Sequence, residues 1–115
     1  MHNQAYLLNL LNYNSWANDE FFKVIIKLPV DEIQKQHLSF MNSIRNSLNH
    51  LLVIDKVWLA NMKSEKHSLK NLQTILFEDM EELCDAKKHE EEIIKNYTIN
   101  LSSTDLEETL ECELI

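Results

Sequence analysis

The sequence predicts an all-α fold, an up-down helical bundle in which residues 1–115 form a single domain. Glycine is absent and proline occurs once among the 115 residues, a composition that favours helices over turn-rich β structure. Three long segments repeat apolar residues with helical spacing. A chain of this length buries roughly two-thirds of its unfolded surface, so the loss of any one helix would matter to the core.

The first helix is predicted over residues 4–28. Pro29 ends it, because proline disfavours the α conformation in the preceding residue and lacks the N–H that a helix needs. Asp31 is then expected to cap a short helical turn that runs through Gln36. The predicted inward stripe of the first helix consists of Leu7, Leu11, Ala17, Phe21, Val24, Ile25 and Leu28.

The second predicted helix covers residues 39–62, has Ser39 as its N-cap and organises the rest of the chain. Its central segment, residues 47–60, reads SLNHLLVIDKVWLA. Apolar residues cover most of its circumference, yet Asp55 lies inside the apolar arc and His50 lies at its margin, where polar groups need partners. The predicted inward stripe contains Phe40, Ile44, Leu48, Leu51, Trp58 and Met62, widened by Leu52, Ile54 and Leu59.

The third predicted helix begins at Leu69 or Asn71 and ends at Tyr97. Its inward stripe is interrupted by Lys87 and Glu91, which are four residues apart and are therefore expected to pair with each other.

A short fourth helix is predicted over residues 105–114. Thr104 and Glu107 have the spacing of a capping box at its start, and leucines at positions 106, 110 and 114 form its apolar side. An irregular or extended tail is the alternative, because the sequence stops directly after this segment.

Short connections predict that consecutive helices are antiparallel neighbours, so facing residues can be matched along the chain. This places Trp16 opposite Leu51. Asp55 is then expected to accept a hydrogen bond from Trp16 Nε1 or from an asparagine of the first helix, because a buried carboxylate without a partner would cost several kcal/mol. Trp16 and Trp58 are both expected to be substantially buried between the first two helices.

His50 has two interpretations. It can be a histidine at the core margin, hydrogen-bonded to a hydroxyl group such as that of Ser43 or Ser47, or a metal ligand that projects between helices. Spacing favours the first, since no histidine has a second one three or four residues away. Matching the second and third helices places Cys84 opposite His50, so the two side chains could act together as a pair. A buried cysteine, however, usually packs as a small hydrophobic residue.

Composition excludes several functional classes. The net charge of −8 argues against nucleic-acid binding, which needs a basic surface. No segment reaches the roughly 18 consecutive apolar residues of a membrane span, and the N-terminal residues lack a basic flank and a cleavage pattern. The sequence therefore predicts a cytoplasmic protein, in which Cys84 and Cys112 are free thiols.

Three stretches together resemble the DinB/YfiT-like family: YNSWAN, the LP that closes the first helix, and SLNHLLVIDKVWLA. The resemblance covers residues 6–62 well. It is weaker in the third helix, where Phe77, Leu83, Lys87 and Glu91 look like a family pattern that has arginine and aspartate at its last two positions. The resemblance implies a four-helix bundle of bacterial origin.

Members of this family hold a divalent metal, commonly nickel or zinc, with three histidines, and some are thiol S-transferases that use bacillithiol, mycothiol or glutathione. By this resemblance His50 matches the first metal ligand. The other two ligands belong to an H-x-x-x-H motif on the last helix, and this sequence ends at Ile115 before that helix would begin. The expected fold is therefore a DinB/YfiT-type bundle that lacks the full last helix.

Two functional classes follow. The favoured one is a non-catalytic or degenerate DinB-like module that self-associates. The alternative is a divalent-metal-dependent enzyme of the thiol S-transferase type, with His50 as one metal ligand and the others supplied elsewhere.

A two-fold homodimer is expected because three helices arranged for a four-helix bundle leave an apolar groove open, and monomers rarely expose such a surface. The inward stripes of the first and third predicted helices are expected to contribute to the interface. Its candidate anchors are Leu76, Met80 and Leu83.

Overall fold

A computed structural model describes residues 4–34, 43–69 and 71–107, without the side chain of Gln34. Within these ranges all regular structure is helical, which confirms the all-α prediction. Among these helices, none has the length and apolar character needed to cross a bilayer. The helices are α1 (Gln4–Ile25), α2 (Val30–Gln34), α3 (Ile44–Met62), α4 (Met80–Ile99) and α5 (Ser103–Leu106).

The chain between α1 and α3 turns at Pro29. Helix α1 ends at Ile25, three residues earlier than predicted, and its last turn tightens as the amide of Leu28 donates to the Ile25 carbonyl. The Pro29 carbonyl accepts hydrogen bonds from the amides of Glu32 and Ile33, which starts α2. Asp31 therefore lies inside the first turn of α2 rather than at its cap, and the predicted end of this turn, Gln36, lies outside the described residues.

Helix α3 begins at Ile44 because Ser43 is its N-cap. Ser43 has an extended backbone, and its Oγ accepts a hydrogen bond of 3.0 Å from the amide of Asn46. The helix ends at Met62, as predicted. Ser39, the predicted N-cap, lies outside the described residues.

Helix α4 begins at Met80, about ten residues later than predicted. Asp79 caps it, with its Oδ2 atom 3.0 Å from the amide of Glu82. An irregular connection joins α3 to α4, and the structure describes its residues 63–69 and 71–79. The amides of Leu76 and Phe77 are hydrogen-bonded to a side chain of α3 rather than to a preceding helical turn. The apolar periodicity of this stretch therefore reflects packing against α3.

The last described helix, α5, has a capping box that begins two residues earlier than the predicted one. Ser102 Oγ accepts from the amide of Asp105, and the Asp105 side chain accepts from the amide of Ser102. The predicted box between Thr104 and Glu107 is therefore wrong. Residues 108–115, which include most of the predicted fourth helix, lie outside the described residues.

Helix α4 packs against both α1 and α3, and these two helices have little direct contact with each other. It runs antiparallel to α1. The Gln4 side chain at the start of α1 donates to the Thr98 carbonyl near the end of α4, at 2.8 Å, and Asn18 near the end of α1 meets Glu91.

Helices α3 and α4 are parallel, so the prediction that these consecutive helices are antiparallel is wrong. Asp55 contacts Lys87, and further along both helices the Tyr97 hydroxyl donates to the Met62 carbonyl at 2.8 Å. The physical reason is the irregular connection between α3 and α4. It is long enough to return the chain to the starting end of α3 before α4 begins.

The core lies where α1, α2, α3 and the first half of α4 meet. Helix α1 turns Phe22 and Ile25 toward this core, so Phe21 and Val24, which were predicted to face inward, are exposed. The side that α1 buries is set by α4, which the sequence pattern did not identify as its neighbour. The buried cluster contains Phe22, Ile25, Ile33, Leu48, Leu52, Met80, Leu83 and Cys84.

Both tryptophans lie at the surface, so the prediction that they are buried between the first two long helices is wrong. Trp16 is 59% exposed and Trp58 is 44% exposed. The separation of α1 from α3 by α4 explains this, because the interface that would have buried the two indoles does not form. Trp16 packs instead against Tyr13 of the same helix, with ring centroids 5.9 Å apart.

Candidate functional site

His50, the residue predicted as a metal ligand, is partly buried on α3 beside the irregular connection. Its Nδ1 atom lies 3.0 Å from the carbonyl oxygen of Leu72. Because a carbonyl oxygen only accepts hydrogen bonds, this contact places the proton of a neutral His50 on Nδ1 and the ring lone pair on Nε2. Metal-binding histidines are often oriented in this way, and a structural histidine at a core margin makes the same bond.

Asp55 pairs with Lys87 of α4, so the predicted hydrogen bond to Trp16 or to an asparagine of the first helix is wrong. The Lys87 Nζ atom lies 2.5 Å from Asp55 Oδ2 and 3.4 Å from Glu91 Oε1. The second contact confirms the predicted pairing of Lys87 with Glu91, and both side chains are buried. Asp55 finds its partner on α4 because α4, and not α1, is the neighbour of α3 at this level.

Two further contacts extend this group of side chains. The Asn18 amide donates to Glu91 Oε1 at 2.6 Å, which ties α1 to α4. Lys56 forms an ion pair with the buried Glu90 at 2.7 Å, which ties α3 to α4. We call the six residues that join the three helices the interhelical polar cluster: Asn18, Asp55, Lys56, Lys87, Glu90 and Glu91.

The interhelical polar cluster pairs two ammonium groups with three carboxylates. Burial raises the pKa of Asp55 above its usual value, while the hydrogen bond and charge of Lys87 act in the opposite direction. A carboxyl group whose pKa is higher in the folded state contributes stability at low pH that is lost as the pH rises through that pKa. Lys87 is therefore the group that makes an ionised Asp55 tolerable at neutral pH.

Asn49 is the polar residue that sequence reasoning missed. It is fully buried, and its Oδ1 atom accepts from the amides of Leu76 and Phe77 at 2.9 and 3.0 Å. Its Nδ2 atom donates to the carbonyls of Phe77 and Arg45 at 2.9 and 3.0 Å. The sequence does place an asparagine within the apolar run of α3. A buried side-chain amide is stable there only if all its hydrogen-bonding groups have partners, so the sequence could have predicted such a role.

Cys84 lies within the apolar core, which confirms its interpretation as a small hydrophobic residue. Burial raises the pKa of its thiol to about 11, so the thiol is protonated at neutral pH and is a poor metal ligand. Within residues 4–34, 43–69 and 71–107, no three His, Cys, Asp or Glu side chains are close enough to hold a metal ion together. The described residues therefore do not fit the three-histidine metal site that the resemblance implies.

Helices α1 and α3 both pack on α4 and have little direct contact with each other, and we call the space between them the open groove. On α3, Leu51 and Trp58 lie four residues before and three residues after Asp55, which contacts Lys87 of α4. Helical spacing therefore places them on the same side of α3 as Asp55, at the edge of the open groove. The exposed apolar residues of this edge, the α3 stripe, are Leu51, Trp58 and Met62.

Helix α1 provides the opposite edge. Phe21 comes three residues after Asn18, which contacts Glu91 of α4, so Phe21 also borders the open groove. Other large apolar residues of α1 are exposed as well. These residues form the α1 stripe, which consists of Tyr6, Leu10, Tyr13, Phe21 and Val24.

Comparison with protein families assigns the fold. The model of the DinB family matches residues 1–110, which is nearly the whole chain. The chain belongs to the DinB family. This confirms the resemblance drawn from YNSWAN, the LP dipeptide and SLNHLLVIDKVWLA. No curated protein and no solved structure matches the chain at a significant level.

In this DinB-family protein, Lys87 and Glu91 of the interhelical polar cluster join α4 to its neighbours. The assignment of His50 as the first metal ligand stays a prediction.

Proposed function

We propose that this DinB-family protein is a non-catalytic helical module that acts through association with a second copy of itself. The observation that carries the proposal is the pair of apolar stripes along the open groove. Five residues that the sequence pattern places on the inward stripes are exposed in the single chain. They are Phe21, Val24, Leu51, Trp58 and Met62. A contiguous apolar surface of this kind usually marks an interaction site.

The non-catalytic part of the proposal is supported by how the ionisable groups between the helices are used. Lys87 is shared between Asp55 and Glu91, and Lys56 is paired with Glu90. Each of these charged side chains forms an ion pair with a side chain on another helix or on the next turn of its own helix. These contacts stabilise the packing of α4 and fit a structural role.

The candidate anchors Met80 and Leu83 are buried inside the single chain, which corrects their expected place in the dimer interface, and Leu76 packs against the same core. The proposed interface therefore uses the α1 and α3 stripes instead.

Light scattering at micromolar concentration should give twice the chain mass of 13.6 kDa. Tyr13→Glu should reduce the mass to that of one chain, because a carboxylate would then lie within the apolar interface. Val30→Glu is the matched control, since Val30 is 64% exposed, Tyr13 is 66% exposed, and Val30 lies on α2 away from both stripes. A monomeric parent protein, or equal loss of mass in both variants, would contradict the proposal.

A metal-dependent enzyme of the thiol S-transferase type is the second candidate function. The contact between His50 Nδ1 and the Leu72 carbonyl favours it, because this bond orients the ring and assigns the coordinating lone pair to Nε2. One imidazole supplies only one of the three protein ligands of a typical catalytic zinc site, so a second chain would have to supply the others.

Metal content separates the two candidates. We expect less than one tightly bound metal ion per chain after purification without chelator and without a nickel column, measured by mass spectrometry of the elements. Zinc or nickel at one ion per chain in the parent protein, and its loss in His50→Ala, would favour the metal-dependent enzyme instead.

A further inference from the structure

We infer that the second copy binds through α1, with the α1 stripes of two copies packed antiparallel about a two-fold axis at the level of residue 15. This inference rests on the self-association proposed above and adds the geometry of the contact. In this arrangement the α3 stripes lie beside the paired α1 helices and cover their outer sides.

The spacing of the α1 stripe is nearly symmetric about Ser15, which is what an isologous contact needs. When α1 is placed antiparallel to a copy of itself with the axis at residue 15, residues at equal distances along the sequence from residue 15 face each other. Tyr13 comes opposite Ala17, so a large side chain meets a small one, as in the packing of ridges into grooves. Tyr6 comes opposite Val24, and Leu10 comes level with Glu20 and lies beside Phe21.

The charges of α1 favour the antiparallel arrangement over the parallel one. Residues 4–18 contain no charged side chain, whereas Asp19, Glu20 and Lys23 all lie in the second half. A parallel pair would place Glu20 beside its own copy, and like charges at a contact are unfavourable. The antiparallel pair places the charged half of each helix beside the uncharged half of its partner.

The exposed area is sufficient for a stable contact. The eight residues of the two stripes are each between about a third and two-thirds exposed. Half of the roughly 150–250 Å² that an aromatic side chain can bury is on the order of 400 Å² for the four aromatic residues of the stripes, and the four aliphatic residues add a somewhat smaller area, so the total approaches about 800 Å² for each copy. One partner contributes about this area to a standard stable interface.

Chemical cross-linking tests the geometry. Tyr6→Cys and Val24→Cys are prepared separately in a Cys112→Ser background, in which the remaining Cys84 is buried. In the antiparallel pair, residue 6 lies opposite residue 24 of the other copy but about 27 Å from residue 6 of that copy, at 1.5 Å per residue. A short bis-maleimide should therefore link the two variants when they are refolded together and should link neither variant alone.

Two cross-linking results would overturn the inference. Links within each variant alone would indicate parallel helices, and no link in the mixture would indicate that α1 binds elsewhere, for example to the partner's α3 stripe. Light scattering on the same samples distinguishes a failure of the α1 geometry from a failure of self-association. A dimer mass with the wrong links would remove only the α1 geometry, whereas a monomer mass would remove self-association as well.

Discussion

Replacement of Lys87 by alanine is expected to lower the free energy of unfolding by about 3–5 kcal/mol, because it leaves Asp55 and Glu91 without their shared cation. Urea denaturation followed by circular dichroism measures this loss. Lys88→Ala is the matched control. Lys88 is 49% exposed, its Nζ atom is 3.9 Å from Asp19, and an ion pair of this kind contributes at most about 1 kcal/mol.

The effect of Lys87→Ala should depend on pH. The pKa of Asp55 is already raised by burial in the presence of Lys87, and loss of the ammonium group raises it further. At about pH 4 much of Asp55 can take up a proton, so the cost of burying an unpaired carboxylate becomes smaller than at pH 7. A destabilisation equal to that of Lys88→Ala at pH 7, or one that grows toward pH 4, would contradict this account.

Replacement of Asn49 by alanine is expected to lower the free energy of unfolding by about 2–4 kcal/mol, since each buried polar group left without a partner costs about 1–3 kcal/mol. The amides of Leu76 and Phe77 and the carbonyl of Phe77 would all lose their contact with this side chain. Denaturation in urea gives the magnitude, and proteolysis within residues 63–79 should become faster because Asn49 anchors that connection to α3.

Two variants give this prediction its controls. Asn49→Asp keeps an acceptor for the Leu76 and Phe77 amides but loses the donors and adds a buried charge, so it should also be destabilising. Asn96→Ala changes an exposed asparagine of α4 and should leave stability within about 0.5 kcal/mol of the parent. If Asn49→Ala were as stable as Asn96→Ala, the anchoring role of Asn49 would be wrong.

Local pattern in the sequence predicted the helical regions, the pairing of Lys87 with Glu91 and the apolar surroundings of Cys84. These features depend on spacing along one helix, which the sequence contains directly. The end of α3 at Met62 was also predicted, because a polar segment follows an apolar run.

The order in which the helices pack was not predicted. An apolar stripe indicates that a face is covered, but it does not identify the helix that covers it. Residues 69–79 have helical periodicity and were assigned to the third helix, yet the buried Asn49 side chain holds Leu76 and Phe77 in the irregular connection. That error made α3 and α4 antiparallel in the prediction. The expectation that α1 and α3 are direct neighbours gave Asp55 the wrong partner and the two tryptophans the wrong environment.

The packing of α1 against α4 affects how fast the protein can fold, because it joins segments that are far apart in the sequence. Asn18 meets Glu91 across 73 residues of sequence, and Gln4 meets Thr98 across 94. Contacts over such separations require closure of a long loop, which slows folding compared with a bundle of sequential hairpins. During synthesis α1 emerges before α4, its main partner among the described helices. The packing of α1 is therefore completed only after the three described helices between Pro29 and Ile99 have been made.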